Sequence, residues 1–171
     1  MISFNNEDIQ FNLKNKNKLK NWVVSTIEKR KTKAGDISFV FCSDDFLLKM
    51  NKEYLNHDTY TDIITFDYSK DTSATGHPST PLRGTAKKEQ SISGDIFISI
   101  HRVKENANNF SPIDSAQGDK KRKEKSNFED ELHRVIIHGI LHLLGYKDKT
   151  KIAKAEMTKQ EDLCLKALKK L

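Results

Sequence analysis

The sequence predicts a single α+β domain over residues 1–171, with about four mixed strands packed against helices. Its 171 residues suit one hydrophobic core. Segments typical of strands and of amphipathic helices alternate through the N-terminal part, a pattern that favours a sheet with helices on one face. A nearly buried helix is also indicated, because Leu132, Val135, Ile136 and Leu143 recur at helical spacing. We expect this helix to run through the centre of the domain.

The first strand and the first helix follow from hydrophobic patterns near the N-terminus. Residues 2–4 predict a strand, and its extension through residues 9–13 is left open. Apolar side chains from Leu19 to Ile27 fall on one face at helical spacing. They predict an amphipathic helix over about residues 17–31.

Five further elements are predicted after a break at Gly35. Residues 37–42 are mostly β-branched and aromatic, which is typical of a strand. Ser43 followed by two aspartates indicates the N-cap of a second helix. Strands are predicted at residues 62–68 and 94–100, and a closing amphipathic helix over residues 151–171.

Two segments lack these patterns and predict flexible loops. Residues 69–91 hold two of the three prolines together with Ser, Thr, Gly and Lys. Residues 111–126 contain a basic run, 118–125. Such a run is either an ordinary solvated loop or a contact for a phosphate backbone, and both interpretations stay open.

Composition indicates a soluble, cytoplasmic protein with a modest core. Hydrophobic residues make up 36% and charged residues 32% of the chain, and the formal net charge is +6. No apolar run reaches the roughly 20 residues needed to cross a bilayer, and the N-terminus has no signal-peptide pattern. The positive charge agrees with a nucleic-acid partner and equally with simple solubility. Cys42 and Cys164 are interpreted as reduced core thiols.

The stretch from His138 to Asp148 is the part of the chain that indicates chemistry. His138 and His142 are four residues apart, so on a helix their imidazoles lie on one face. Gly145 is suited to end that helix in the left-handed conformation, after which the chain can return Asp148 to the same point. Two imidazoles and a carboxylate suit zinc and leave a fourth position open for water.

Many His-x-x-x-His pairs on helices bind no metal, and the surroundings decide between the two interpretations here. The predicted helix is nearly buried, and buried imidazoles need partners or a metal. We therefore predict a metal site formed by His138, His142 and Asp148. His133, earlier on the same helix, is interpreted as a surface residue.

The whole chain resembles the bacterial YbeY endoribonuclease family, and four pieces carry the resemblance. The segment 128–146 contains His138-Gly-Ile-Leu-His142-Leu-Leu-Gly-Tyr146, which is similar to the family signature. Residues 94–99 match the strand before it, and residues 51–66 match the upstream helix, loop and strand. Glu156, Met157 and Glu161 fit the closing helix.

The resemblance implies a zinc-dependent, single-strand-specific endoribonuclease that acts in rRNA maturation and ribosome quality control. Processing of the 3′ end of 16S rRNA is the expected reaction, and the small ribosomal subunit is the expected partner. One zinc ion per chain, held by His138, His142 and Asp148, would act through the water that it binds. His57 lies in the segment that resembles the family's substrate-facing loop and is therefore a candidate for substrate binding.

Two positions depart from the family pattern. The third ligand is usually a histidine, and here it is Asp148, which is also an ordinary zinc ligand but one that accommodates other divalent ions more readily. The family commonly carries an arginine after the tyrosine that corresponds to Tyr54, and here Leu55 stands there. Leucine cannot hold a phosphate through paired hydrogen bonds. The candidates to replace that arginine in binding substrate are Arg102, Arg134, Lys147 and Lys149.

Two rival functions remain at this point. A metalloprotease is disfavoured because Gly139 stands where the His-Glu-x-x-His enzymes carry their general base. A non-catalytic ribosome-assembly factor, in which zinc only stabilises the fold, is kept open by Leu55. If the protein is a hydrolase, Asp62, Asp95 or Glu131 is expected to serve as general base or as a partner of a ligand.

Overall fold

The computed structural model describes residues 1–69, 90–109 and 117–171, except for the side chains of residues 117–126. Its helices and strands in chain order are β1 (Ile2–Asn6), α1 (Lys16–Glu28), β2 (Lys33–Cys42), α2 (Asp44–Leu55), β3 (Ile63–Asp67), β4 (Ser91–Ser99), α3 (Ile100–Asn109), α4 (Gln117–Leu143) and α5 (Lys151–Leu168). The predicted α+β class with four mixed strands is confirmed.

The four strands form one sheet in the order β1-β2-β4-β3. β2 pairs in parallel with both β1 and β4, whereas β3 is antiparallel to β4. Ile37, Phe39 and Phe41 of β2 alternate toward the main core, as do Ile96 and Ile98 of β4. Helices α1, α3, α4 and α5 contribute to this core, and α4 contacts β3 and β4 directly.

The expectation that the helices share one face of the sheet is wrong for α2. Leu47 of α2 packs in a second cluster with Cys42 and Ile64, and Phe97 joins it. Side chains alternate along a strand, so an apolar residue such as Phe97 between two core isoleucines needs cover on the opposite face. α2 supplies that cover. Ser43 caps this helix as predicted, because its Oγ accepts a hydrogen bond from the N–H of Phe46.

Part of the second predicted loop is helical, because α4 begins at Gln117. The basic run, 118–125, therefore lies entirely within a helix, which agrees with the good helix propensity of Lys, Arg and Glu. Residues 110–116 and residues 70–89, the bulk of the first predicted loop, lie outside the described residues. α3 has no counterpart in the sequence prediction. In the described part of the chain, none of the helices has the length and apolar character that crossing a bilayer requires.

Candidate metal centre

The end of α4 brings the predicted residues of the site together. The N–H of Gly145 donates to the carbonyl of His142, and the N–H of Tyr146 donates to that of Leu141. Gly145 has a φ of 92°, so the helix ends in the left-handed glycine motif that the sequence indicated. The chain then turns back and carries Asp148 to the exposed histidine face.

His138, His142 and Asp148 offer three ligand atoms at one point. The Nε2 atoms of the two histidines are 2.9 Å apart. Oδ2 of Asp148 lies 3.8 Å from each of them. Both imidazoles are half-buried, with 21% and 29% of their side chains exposed, while Asp148 is 41% exposed. The cluster therefore opens to solvent on the side of the carboxylate.

Hydrogen bonds to the other ring nitrogens fix the orientation of both histidines. Nδ1 of His142 lies 3.1 Å from the carbonyl oxygen of Tyr146, which can only accept, so this nitrogen carries the proton. Nδ1 of His138 lies 2.7 Å from Oε1 of Glu161 and donates to that carboxylate when it is ionised. With both Nδ1 atoms protonated, the neutral imidazoles present their lone pairs from Nε2.

This donor set fits a divalent metal ion. Two lone pairs that face each other across 2.9 Å repel unless a cation or a proton lies near both. Two imidazole nitrogens and one carboxylate oxygen are donors that zinc accepts, and the ligand atoms of all three residues lie within 4.8 Å of one another. His138, His142 and Asp148 can therefore hold the ion, with room for a further ligand.

The pKa values of the two histidines shift in opposite directions. Burial acts to lower the pKa of His138, but the hydrogen bond and the charge of Glu161, together with Asp148, outweigh it and the pKa is raised. Burial lowers the pKa of His142, and the positive charge of a protonated His138 lowers it further. In the absence of metal, His138 is thus the imidazole of the pair that takes up a proton first.

Glu161 contacts the candidate site, although sequence analysis named it only for its fit to the closing helix and gave it no role there. It lies in α5 with 8% of its side chain exposed, and besides holding His138 it accepts a hydrogen bond at 3.0 Å from Arg134. Arg134 also binds Asp162. A usable signal was present, because Glu161 stands four residues after Met157 on the buried face of α5. A carboxylate on an apolar helix face needs a partner.

A groove of about 750 Å³ adjoins the histidines on the side of Glu161. It lies among α3, α4 and α5, and we call it the acidic groove because five carboxylates line it against three basic side chains. These charged residues are Asp62, Asp130, Glu131, Glu161, Asp162, Arg134, Lys154 and Lys169. Burial, together with the charges of Asp62 and Glu161, raises the pKa of Glu131 against the lowering effect of Arg134.

The three carboxylates predicted as general base or partner are placed differently. Asp62 and Glu131 line the acidic groove beside the histidines. Asp95 precedes Ile96 on β4 and so points to the opposite face of the sheet, where the hydroxyl of Tyr68 donates to it at 3.2 Å. The structure therefore places Asp95 away from the metal cluster.

The candidates for substrate binding are also dispersed. Arg102 lies 2.6 Å from both Asp44 and Glu105, and these ion pairs hold it at the start of α3. Arg134 lines the acidic groove, but its guanidinium is held by Glu161 and Asp162. Only Lys147 and Lys149 lie beside the cluster, exposed on either side of Asp148.

The loop between α2 and β3 holds the other two positions singled out from the sequence. His57 is exposed just after α2, and its backbone N–H donates to the carbonyl of Asn51. Leu55 ends the same helix with 47% of its surface exposed. Neither residue belongs to the metal cluster.

Gly139 faces the sheet rather than the site. A Cβ atom on this residue would come within 2.8 Å of Cγ2 of Ile96 and 3.0 Å of Cδ1 of Ile63. α4 therefore approaches the sheet too closely for a larger residue here. A glutamate at this position would point into the core, and the general base of the His-Glu-x-x-His enzymes has no room in this packing.

The comparisons with known proteins agree with this geometry. Residues 1–169 match the endoribonuclease YbeY family. The endoribonuclease YbeY of Flavobacterium psychrophilum is 42% identical over 97% of this chain and 95% of its own length. That of Cytophaga hutchinsonii is 40% identical over 96% of this chain and 93% of its own.

A solved structure is also similar over nearly the whole chain. The solution structure of a Thermotoga maritima protein has a TM-score of 0.53 and 26% identity, covering 98% of this chain and 89% of that one. The family match over residues 1–169 and relatives at about 40% identity agree with one another. The chain belongs to the endoribonuclease YbeY family, whose members are metal-dependent RNA hydrolases that act in rRNA maturation.

Proposed function

We propose that this protein is a zinc-dependent, single-strand-specific endoribonuclease whose metal is held by His138, His142 and Asp148. The observation that carries the proposal is the pair of Nε2 atoms 2.9 Å apart, each on an imidazole whose Nδ1 is already engaged. When both imidazoles are neutral, neither of these Nε2 lone pairs accepts a hydrogen bond from the other ring. A Lewis acid that accepts both is the simplest partner.

The residues of the centre have separate tasks in this proposal. Glu161 and the carbonyl of Tyr146 hold the two imidazoles in the tautomer that binds metal. Asp148, the most exposed of the three ligands, leaves the solvent side open to a phosphodiester. When bound, a divalent ion supplies Lewis acidity toward a phosphate oxygen and toward water. Asp62 and Glu131 are the candidates for proton transfer that line the adjoining groove.

Ribosomal RNA is the substrate class of the family, and we infer a finer assignment within it. The proposed reaction is processing of the 3′ end of 16S rRNA on the small ribosomal subunit. A single strand is favoured because an exposed backbone can approach a ligand set that is recessed at a helix end. A nuclease with this task works where ribosomes are assembled, which places it in the cytoplasm.

A non-catalytic assembly factor is the second candidate, since Leu55 replaces the arginine common in the family. The two candidates make opposite predictions about metal removal. If zinc only stabilises the fold, a chelator unfolds the chain. If it is catalytic, the core of Ile96, Ile136 and their neighbours keeps the metal-free chain folded, since that core includes none of the three proposed ligands.

Cleavage of single-stranded rRNA fragments tests the proposal, with His142→Ala prepared in parallel and circular dichroism recorded for both. We expect cleavage by the parent chain alone, its loss on chelation without unfolding, and its return with zinc. His101→Ala is the matched control, because it removes an exposed imidazole outside the cluster. Absence of cleavage together with unfolding on chelation would favour the assembly factor.

A further inference from the structure

A second cavity adjoins the loop that follows α4. It has a volume of about 330 Å³ and is lined by Arg30, Thr32, Gln90, Leu144, Gly145 and Tyr146. Thr32 and Gln90 directly precede β2 and β4, so the cavity lies where the starts of these strands meet the end of α4. Tyr146 belongs to both sites, because its carbonyl accepts the hydrogen bond from His142.

Arg30 gives this cavity its charge. The guanidinium donates to the carbonyl of Thr26 at 3.0 Å and to the side chain of Gln160 at 2.7 Å, and it lies 5.7 Å from the ring centre of Tyr146. These neutral partners orient the group without neutralising it. Within the described residues, no carboxylate lies within ion-pair distance of Arg30.

Arg102 and Arg134, in contrast, both form ion pairs with acidic side chains. A half-buried guanidinium without a counter-charge is costly unless an anion compensates it. Its planar fork suits a phosphate group, to which it can donate two parallel hydrogen bonds. The cavity at Arg30 is therefore suited to an anionic ligand.

The charges around the metal centre favour the same side for a polyanion. The acidic groove, with five carboxylates against three basic groups, repels a phosphate backbone. The cavity at Arg30 lies instead at the C-terminal end of α4, and the loop after α4 adds the exposed Lys147 and Lys149. The negative charge of an RNA strand bound at the metal centre is therefore better compensated near Arg30 than near Glu161.

We infer that the cavity at Arg30 binds a backbone phosphate of the RNA near the one at the metal centre. Arg30 supplies the charge, and Thr32, Gln90 and Tyr146 provide polar walls. This inference rests on the proposed function. Arg30 lies in the connection between α1 and β2. In this inference it anchors the RNA backbone, which Leu55 cannot do.

Equilibrium binding of a fluorescently labelled single-stranded RNA oligonucleotide tests the inference without relying on cleavage. All proteins carry His142→Ala, so that the probe stays intact, and anisotropy gives the Kd at several salt concentrations. We expect Arg30→Met to raise the Kd about tenfold, which is typical of losing a charge-assisted hydrogen bond. The slope of log Kd against log salt should fall by about 0.7, the value for one phosphate contact on a single strand.

Lys29→Met is the matched control, because it removes the same charge from the neighbouring exposed residue. We expect it to leave the Kd within about twofold and the salt slope unchanged. Arg30→Lys should fall between the parent and Arg30→Met, since it keeps the charge but not the paired donors. Equal effects of Arg30→Met and Lys29→Met would overturn the inference, because net charge alone would then explain binding.

A second variant distinguishes RNA binding at the cavity from a purely structural role of Arg30. Such a role is conceivable because the contact of Arg30 with Gln160 links the end of α1 to α5. Gln90→Glu places a negative charge on the exposed rim of the cavity and should weaken RNA binding several-fold without changing stability. Gln10→Glu is its control. Gln10 follows β1, whose last residue pairs with Phe41 near the far end of β2.

If Arg30→Met lowers stability while neither it nor Gln90→Glu changes the Kd, the inference is wrong and Arg30 is a structural residue. The proposed function would then stand, provided that the parent chain still cleaves and His142→Ala does not. Failure of the His142→Ala protein to bind the oligonucleotide at all would overturn the inference, whereas cleavage by the parent chain tests the proposed function separately, so the two failures are distinguishable.

Discussion

Glu161 holds His138 across the interface between α4 and α5, with 2.7 Å between Oε1 and Nδ1. The carboxylate is nearly buried and also accepts a hydrogen bond from Arg134, so its position is fixed from two sides. A carboxylate that binds the distal nitrogen of a ligating histidine fixes the ring and strengthens it as a ligand. The proposed metal centre therefore depends on two helices, although α4 and the loop after it provide the candidate ligands.

Replacing Glu161 should weaken metal binding even though Glu161 is not itself a ligand. We expect Glu161→Gln to lower zinc affinity by about 10- to 100-fold, measured by competition with a chromophoric chelator. Glu156→Gln is the control, because Glu156 is an exposed carboxylate of the same helix that pairs with Gln160 and Lys159. Unchanged affinity in Glu161→Gln would mean that His138 does not depend on this hydrogen bond.

Gly145 should be sensitive to substitution for a reason of backbone conformation rather than of space. No atom lies within 4 Å of the position that a Cβ would take, but the φ of 92° is strained for other residues. We expect Gly145→Ala to lower the free energy of unfolding by about 1–3 kcal/mol in urea denaturation. Gly145→Asn should lose less, because asparagine tolerates the left-handed region better. Equal losses would contradict the conformational explanation.

Gly139 should be sensitive for the opposite reason. An added methyl group meets Ile96 at 2.8 Å, so Gly139→Ala is expected to destabilise the fold by about 1–3 kcal/mol through overpacking. The combination with Ile96→Ala should cost less than the sum of the single changes, because the second substitution frees the space. Strict additivity in this double-mutant cycle would show that α4 and β4 are not in close contact.

His133 should make stability dependent on pH. Contrary to the sequence interpretation, it is half-buried, with its ring 6.2 Å from that of Trp22, and burial lowers its pKa. Below its ordinary pKa of about 6.5, the unfolded chain binds a proton here that the folded chain does not, so acidification costs stability.

His133→Phe keeps a ring beside Trp22 but cannot titrate. Between about pH 7 and pH 5 we expect the parent chain to lose more unfolding free energy than this variant, measured by urea denaturation. If the unfolding free energies of the two proteins differ by the same amount at every pH in this range, the pKa of His133 is the same in the folded and unfolded chains.

The cysteines should be unreactive in the folded protein. Both are buried, and burial, together with the nearby charges of Asp8 and Asp44, raises the pKa of Cys42 to about 12. We expect an aromatic disulfide reagent to titrate no thiol at pH 8 in native protein and both after denaturation. Rapid reaction of one thiol in the native state would show local opening around it.

The parts of the site that follow from local geometry could be predicted from the sequence. The spacing of His138 and His142 on a helix and the helix end at Gly145 depend only on neighbouring residues, and these determine where Asp148 can reach. Glu161 could not be located in this way, because its contact with His138 depends on how α5 packs against α4. The same holds for Arg102, whose partner Asp44 is 58 positions away in the chain.

The fold shows a similar division. The strands were recognisable because β-branched and aromatic residues concentrate in them, and α1 because its apolar residues follow the helical period. The start of α4 at Gln117 was missed because the charged stretch before Phe128 has no apolar period, although Lys, Arg and Glu favour helices. α2 packs on the face of the sheet opposite the main core. Which face a helix covers depends on how the strands pair, and the spacing of apolar residues along that helix does not reveal this.

The zinc content of the purified chain after dialysis tests the central claim most directly. We expect one zinc per chain in the parent and in His57→Ala, and loss of that zinc in His138→Ala, His142→Ala and Asp148→Ala while all four variants remain folded. Retention of zinc by folded His142→Ala would contradict it, because the metal would then be held elsewhere.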